Sequence, residues 1–452
     1  MDSLTLQIYL DRRWHDACEL LFPEPQRGRV APLELSYLPA YVASFGDRIE
    51  ARVSLEFPLD FFPHQCDRWP AFLHDVMPMG AARRFWLKRK ALPVTDTFEY
   101  DFLLLKDCCA APVGNLRVKE SFYRSDPPPV QSFDLDDILK RDSDFLDYAS
   151  EVGAGIGGAT GAGGEAPKFL ITENSQGQCF PEATLDDELS SAHYLVKFPR
   201  NHAAKDDHTL LEAEAVYYKL ASDLGFNTVD ASGLRFFPQD NEKGIQKASL
   251  WLPRFDREVI ATDNGRYFIQ RRWAMESLYS LTGVTEPGAT KQHTDYLRCL
   301  AECWREAGQE QQIPQLFAEY LARDLLNVVL GNTDNHGRNT AILKKDNQLQ
   351  LAPIYDLAPM FFDSEGIFRT SRWSQKNELG GRFNWRDICA EAAATESLVD
   401  ADFLWQGLRD ATTGLLAIPD LARDYDFPDE LFSHNKLRFA ELDKKLKAWD
   451  LH

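Results

Sequence analysis

Residues 331–357, GNTDNHGRNTAILKKDNQLQLAPIYDL, constrain the fold of this chain more than any other stretch. An apolar helical pattern over Ile313–Leu330 precedes them, and Gly331 sits where a helix-terminating glycine belongs. Two strand-like runs follow, Thr340–Leu343 and Gln348–Leu351, around a turn at Asp346–Asn347. The pattern predicts a helix, a polar loop, a hairpin and then a second acidic position at Asp356. Such a hairpin folds Asp334, Asn339 and Asp356 toward one point.

The chain has 452 residues, 44% hydrophobic and 27% charged, which suits a globular protein with a sizeable core. No apolar run approaches the roughly 18–20 residues that span a bilayer. The start, MDSLTLQIYLDRRW, turns acidic and polar too soon for a signal peptide. Eight scattered cysteines, Cys108 and Cys109 adjacent and no CxxC pair, fit reduced thiols and a cytoplasmic location with no membrane partner. The net charge of −20 argues against nucleic acid as a direct partner of the whole surface and leaves only a local basic groove open. It also requires any anion-binding cleft to concentrate its own positive charge.

Residues 4–10 read as a strand closed by a charged turn at Asp11, Arg12 and Arg13, and VGNLRV, residues 113–118, as another strand. RSDPPP at 124–129 suits a linker. Gly153–Gly164 holds seven glycines in twelve residues and reads as a loop, either a flexible linker or a backbone that closes on phosphate oxygens. Strand-like runs Lys168–Ile171 and Tyr194–Phe198 follow. Residues 153–158 satisfy GxGxxG, but the stretch before them looks helical, whereas a dinucleotide fingerprint needs a strand there. No glycine directly precedes Lys168, which removes the Walker A reading. A helix is expected over Thr209–Leu224, with Thr209 and Glu212 as a capping box and Gly225 beyond its end. Glu214 falls within its apolar stripe, a costly place for an unpaired carboxylate. A strand Ser249–Pro253 leads into RFDR.

Phosphoryl transfer needs a carboxylate to orient the attacking hydroxyl, ligands for magnesium and a cation on the phosphates. Asp334 and Asn339 stand five apart, as in the protein-kinase HRDxxxxN loop, and Asp356 follows where a kinase places its metal-binding aspartate. Each alone reads as a turn former or cap; together they point to this chemistry. His336 is a helper near the phosphates or a surface loop residue. Lys197, alternating with Tyr194, Val196 and Phe198, is the natural phosphate lysine, and an ion pair with Glu214 is expected.

The segments GAGGEAPKFLI, HYLVKFP, EAVYYKLASDLGFNTVDAS, LPRFDR, RRWAMES, GNTDNHGRNTAIL and LAPIYDLA together resemble the HipA-type serine/threonine kinases, toxins of bacterial toxin–antitoxin systems. LTLQIYLDRRW and FLHDVMPMGAARR resemble that family's first subdomain. The resemblance implies an α/β (α+β), two-lobed, protein-kinase-like fold. Its parts would be an N-terminal subdomain at 1–122, a linker at 123–145, an N-lobe at 146–258 and a helical C-lobe at 259–452. It implies ATP and Mg2+ as cofactors, Asp334 as catalytic base with His336 beside it, and Asn339 and Asp356 as magnesium ligands. Lys197 would contact phosphate and Pro253–Phe255 would receive adenine, with Gly163, Gly164, Lys168, Glu214 and Tyr355 completing the nucleotide site. The implied substrate is a protein hydroxyl, on an aminoacyl-tRNA synthetase, with growth inhibition as the outcome and a HipB-like DNA-binding antitoxin as partner. A catalytically silent nucleotide-binding scaffold is the alternative. Two departures stand out. Where the family carries regulatory serines in the glycine-rich loop, this chain has Thr160 and Gly161, leaving Thr160 as the candidate autophosphorylation site. Arg369 and Arg372, in GIFRTSRW, are expected to bind a substrate or a regulatory phosphate, or to form salt bridges to the acidic surface.

Overall fold

The structure is a computed structural model and describes residues 2–46, 48–95, 97–123, 129–141, 143–151, 155–156, 168–199, 205–240 and 247–452. The fold class is α+β, as expected. The chain divides into two compact units: Met1–His202, Gly233–Thr285 and Ala341–Gln350 form the first, and Ala203–Ser232, Glu286–Thr340 and Leu351–His452 the second.

In the first unit, Asp2–Leu10 and Arg13–Phe22 pair antiparallel across a two-residue turn. Asp11 and Arg12 take φ of 48° and 65°, which matches the twist of a tight hairpin. Leu4, Leu6, Ile8 and Leu10 alternate onto one buried face. The sheet runs in the order His64–Cys66, Leu33–Tyr37, Arg13–Phe22, Asp2–Leu10, Leu116–Val118. A second sheet runs Arg235–Phe237, Ser249–Pro253, Ser190–Lys197, Lys168–Asn174, Gly155–Ile156, with Cys179–Pro181 also on Lys168–Asn174. Phe169, Ile171, Tyr194, Val196 and Trp251 pack from it against Phe145 and Tyr148 of the helix Ser143–Glu151.

That helix precedes the glycine-rich run and a strand follows it, the reverse of the order a dinucleotide fingerprint requires. The reading of Gly153–Gly164 as loop throughout needs correction at one point. Gly155 and Ile156 pair with Phe169 and Lys168, an edge position where backbone bonding suffices and the missing side chain costs little. Thr160, Gly163 and Gly164 lie outside the described residues.

In the second unit, the helix His293–Glu306 buries His293, Tyr296, Leu297, Leu300, Ala301 and Trp304, one stripe at helical spacing. The helix Ile313–Val329 packs on Ala401–Leu415, which packs in turn on Trp385–Ala393. A third long helix starts earlier than expected, at Lys205, and runs to Asp223. Thr209 is therefore interior, not a capping residue, and its hydroxyl donates to Glu430 Oε1 at 2.6 Å. Its far end behaves as expected, with Gly225 at φ 81°. Among the described residues no helix is long and apolar enough to cross a membrane, and all eight cysteines are free thiols.

Candidate active site

The loop after Ile313–Val329 begins with an abrupt change of direction. Gly331 takes φ 67°, and a Cβ there would lie 2.5 Å from a ring carbon of Phe361. Only glycine satisfies both demands. Tyr217 Oη donates to the Leu330 carbonyl at 2.8 Å, which ties the helix end to Lys205–Asp223.

Residues 332–336 belong to no helix or strand, so their polar backbone groups need other partners. Asparagine side chains supply them. Asn332 Nδ2 donates to Asn327 Oδ1 at 2.9 Å and to the Asp356 carbonyl at 3.2 Å, while its Oδ1 accepts from the Asp334 amide at 3.2 Å. Asn339 Nδ2 donates to the Asp334 carbonyl at 2.7 Å. Asn335 Nδ2 donates to Asp324 Oδ1 at 3.0 Å. Asp334, Asn339 and Asp356 are thus linked through main-chain groups, with Asn332 as the hub. Neither Asn332 nor Asn335 stood out in the sequence.

His336 is buried at 1% exposure, which excludes the surface-loop reading. Its Nδ1 accepts from the Arg338 amide at 3.2 Å, so Nε2 carries the proton. Nε2 lies 3.6 Å from Asp334 Oδ1, longer than a hydrogen bond. Tyr355 donates to the Arg338 carbonyl at 2.6 Å and so braces this loop.

Asp356 takes φ 52°, a left-handed conformation that an aspartate tolerates but does not prefer. Next to it, the Leu357 amide faces Tyr218 Oη at 3.5 Å, and that hydroxyl donates to Glu214 Oε1 at 2.8 Å. Burial, followed by the charges of Glu214 and Asp356, raises the Tyr218 phenol well above its ordinary range, so it stays a hydrogen-bond donor. Glu214 is buried, as its place in the apolar stripe implied, and Tyr218 is one partner that makes this tolerable.

In the first unit, Lys168 and Lys197 sit directly opposite one another on neighbouring antiparallel strands. Lys197 is buried at 6% exposure. Two like charges on one face of a strand pair destabilise it unless an anion lies near both. Pro253 ends its strand paired with Tyr194, and Phe255 is half-buried in the turn that follows. A buried ionic cluster carries that turn. Arg254 and Arg257 bind Asp256, and both reach Glu182 at 3.3 Å. Burial alone would raise the Glu182 carboxyl, but Arg254, His193 and Arg257 hold it well below its ordinary range.

The HipA-like C-terminal domain pattern matches residues 160–409, more than half of the chain. The chain belongs to the HipA family. No curated protein matches it. Among solved structures it is similar to a chain of the Shewanella oneidensis MR-1 toxin–antitoxin complex of HipA, HipB and operator DNA, with a TM-score of 0.62 and 16% identity over 99% of this chain and 96% of that one. At that identity the likeness is one of fold. The Helicobacter pylori proinflammatory kinase CtkA also matches, at a TM-score of 0.39 and 15% identity over 66% of this chain and 92% of that one.

The donor set of this HipA-family chain fits a magnesium ion. Asn339 Oδ1 is buried and has no hydrogen-bond partner among the described residues, because the other end of the amide is committed to Asp334. Magnesium takes one or two carboxylates and keeps waters or phosphate oxygens for the rest of its shell. Of the two arginines beyond Asp356, Arg369 is buried, with Asp324 and Glu378 as its partners at 2.9 and 3.0 Å. It is therefore a structural ion pair of the interior, not of the acidic surface. Arg372 is exposed and donates to the Arg369 carbonyl at 2.8 Å.

Proposed function

We propose that this HipA-family protein is an ATP- and Mg2+-dependent protein serine/threonine kinase of the toxin type. The observation that carries the reading is the Asn332 hub, which ties the main chain of Asp334 to that of Asp356 while Asn339 keeps a bare oxygen beside them.

In this reading Asp334 accepts the proton of the attacking hydroxyl. His336 Nε2–H faces Asp334 Oδ1 at 3.6 Å and so helps to orient the carboxylate. Asn339 Oδ1 and Asp356 hold the magnesium, which when bound neutralises charge on the phosphates. Lys197 and Lys168, opposite one another on neighbouring strands, bind the phosphate oxygens. Glu214 and Tyr218 fix the backbone beside Asp356. The backbone at Pro253 and Phe255 receives the adenine, Gly163 and Gly164 close on the phosphates, and Tyr355 supports the loop.

We further propose, from the family resemblance, that an aminoacyl-tRNA synthetase is the protein substrate and that the protein works in the cytoplasm. A HipB-like antitoxin is the proposed partner, because the similar Shewanella structure is a complex with HipB and operator DNA. Thr160 is the proposed self-phosphorylation site; intact mass after incubation with ATP, showing no phosphate there, overturns that assignment.

The test is direct. Purified protein with ATP and magnesium phosphorylates itself or a cell-extract protein, and Asp334→Ala abolishes transfer. Tight ATP binding with no transfer by the wild type points instead to a nucleotide-binding scaffold. Preference for NAD(P) over ATP removes the assignment altogether.

A further inference from the structure

The helix Ile313–Val329 turns an apolar stripe inward, with Phe317, Tyr320, Leu321 and Asp324 at helical spacing. Asp324 is thus a carboxylate where an apolar side chain is expected, and it is 3% exposed. Four donor contacts saturate its two oxygens. Oδ1 accepts from Asn335 Nδ2 at 3.0 Å and Arg369 Nη2 at 2.9 Å, and Oδ2 accepts from Arg369 Nη2 at 3.2 Å and Trp373 Nε1 at 2.9 Å. His293 Nε2 lies 3.6 Å from Oδ2, beyond hydrogen-bond reach, while its ring stacks on Trp373 at 4.6 Å. Burial alone would raise the Asp324 carboxyl; Arg369 is the first of the groups that hold it below its ordinary range, so it stays charged.

Stability alone explains such an arrangement poorly. A buried ion pair loses in hydration about what it gains in attraction, and apolar replacements are often as stable. What a saturated carboxylate does supply is direction, because engaging both oxygens leaves the side chain one orientation. Its donors come from two places. Arg369 and Trp373 belong to the segment beyond Asp356, which Glu378 also holds, accepting from Arg369 Nε at 3.0 Å and from the Trp373 amide at 2.9 Å. Asn335 directly follows Asp334, whose own amide and carbonyl are held by Asn332 and Asn339. The asparagines of the loop therefore hold the backbone of Asp334, and a carboxylate whose direction residues 369 and 373 set holds the residue after it.

We infer that Asp324 is a positioning residue that carries the seating of residues 369–373 through Asn335 to the backbone at Asp334, so that phosphoryl transfer depends on how that segment is seated. The inference rests on the kinase reading above and adds a control point to it. Asp324 itself makes and breaks no bond. Its effect falls on kcat, through the placement of Asp334, and not on the affinity for ATP. Removing the Trp373 donor and cutting the Asn335 link weaken the same step, because both lie on one path.

The experiment uses the full chain and the variants Trp373→Phe, Asn335→Ala and the two combined, all of which keep Asp324 paired with Arg369. Hydrogen exchange at the amides of residues 332–339 reads the loop without any activity, and the helix Ala401–Leu415 in the same samples reports general loosening. Transfer at saturating ATP and the KM for ATP are measured in parallel. Trp373→Phe is expected to speed exchange at 332–339 about two- to tenfold beyond any change in the reference helix, the scale of one lost hydrogen bond, and to slow transfer by a similar factor. Asn335→Ala slows transfer about tenfold to 100-fold. The KM for ATP stays within about twofold throughout. The double variant is no slower than Asn335→Ala alone, because the path is already cut. Exchange that rises equally in the loop and the reference helix, or in neither, shows a structural contact only and overturns the inference. Losses that multiply in the double variant overturn it too, as does an unchanged transfer rate in Asn335→Ala. Wild-type protein that transfers nothing removes the kinase reading, and exchange then decides the coupling by itself: a selective rise at 332–339 in Trp373→Phe upholds it, and no selective rise overturns it.

Discussion

Asn332→Ala is the most informative single change in this protein. Asn332 is 4% exposed, and its amide makes three side-chain hydrogen bonds, to Asn327 Oδ1, the Asp356 carbonyl and the Asp334 amide. Each such bond contributes about 0.5–1.5 kcal/mol net, and an orphaned buried partner costs about 1–3 kcal/mol. Water can reach part of the vacated space, so the expected loss of stability is about 3–5 kcal/mol. Urea denaturation reads this directly and does not depend on any assigned activity. The second consequence is functional. With the hub gone, Asp334 and Asp356 lose their shared reference, and misplacement on the ångström scale lowers kcat by about 100-fold. Asn332→Asp separates the two arms. It keeps an acceptor for the Asp334 amide but loses the donor to Asp356 and adds a negative charge close to Asp334 and Asp356. Its Mg2+ dependence should therefore shift more than that of the alanine variant. If Asn332→Ala unfolds within about 0.5 kcal/mol of the wild type, the measured bonds do not hold the loop and the reasoning fails.

Gly331→Ala forces a left-handed alanine, at about 1–2 kcal/mol, and drives a methyl into Phe361, so a loss of roughly 2–4 kcal/mol in a denaturant titration is expected. His293 is buried; desolvation first, with Arg369 adding to it against Asp324, lowers its pKa from 6.5 to about 4. The unfolded chain then binds a proton that the folded one refuses between those values. Stability from this site is complete above pH 6.5 and is lost as pH falls toward 4, by roughly 2–3 kcal/mol. His293→Gln should flatten that part of a stability–pH profile, and an unchanged profile would show that the ring titrates normally. Lys197→Met is expected to weaken ATP binding roughly tenfold to 100-fold, and calorimetry with ATP and Mg2+ decides it.

What the sequence made legible are the features with local causes. Asp346 and Asn347, read as a turn, take φ of 50° and 59° between the strands Ala341–Lys345 and Gln348–Leu351. The strand Ser249–Pro253 and the helix ending before Gly331 were readable for the same reason. Features decided at long range were not. Thr209 looked like a cap because threonine and a glutamate three residues later are a local signature, yet its hydroxyl answers to Glu430, 221 residues away. Arg369 gave no sign of its partner Asp324, 45 residues earlier. In the site, the types and spacing of Asp334, Asn339 and Asp356 were visible. The amide that joins two of them was not, because an asparagine in GNTDNHG looks like any turn former.

That last miss has a physical logic that bears on how such a loop is built. A carboxylate at position 332, 335 or 339 would supply acceptors only, and would add negative charge beside Asp334 and Asp356. An amide supplies a donor and an acceptor on one neutral group, so it can bridge an amide hydrogen to a carbonyl, as Asn332 does between Asp334 and Asp356. Asn339 splits these roles differently, donating inward to the Asp334 carbonyl and leaving its oxygen bare. Neutral amides thus carry the structural load, and the loop's negative charge is reserved for the two aspartates. In a chain with net charge −20, that economy matters. Each extra carboxylate beside the proposed magnesium and triphosphate site would raise the repulsion on the phosphates. The asparagines at 332, 335 and 339 therefore order an irregular loop, in which Arg338 already balances Asp334, without adding charge beside Asp334 and Asp356.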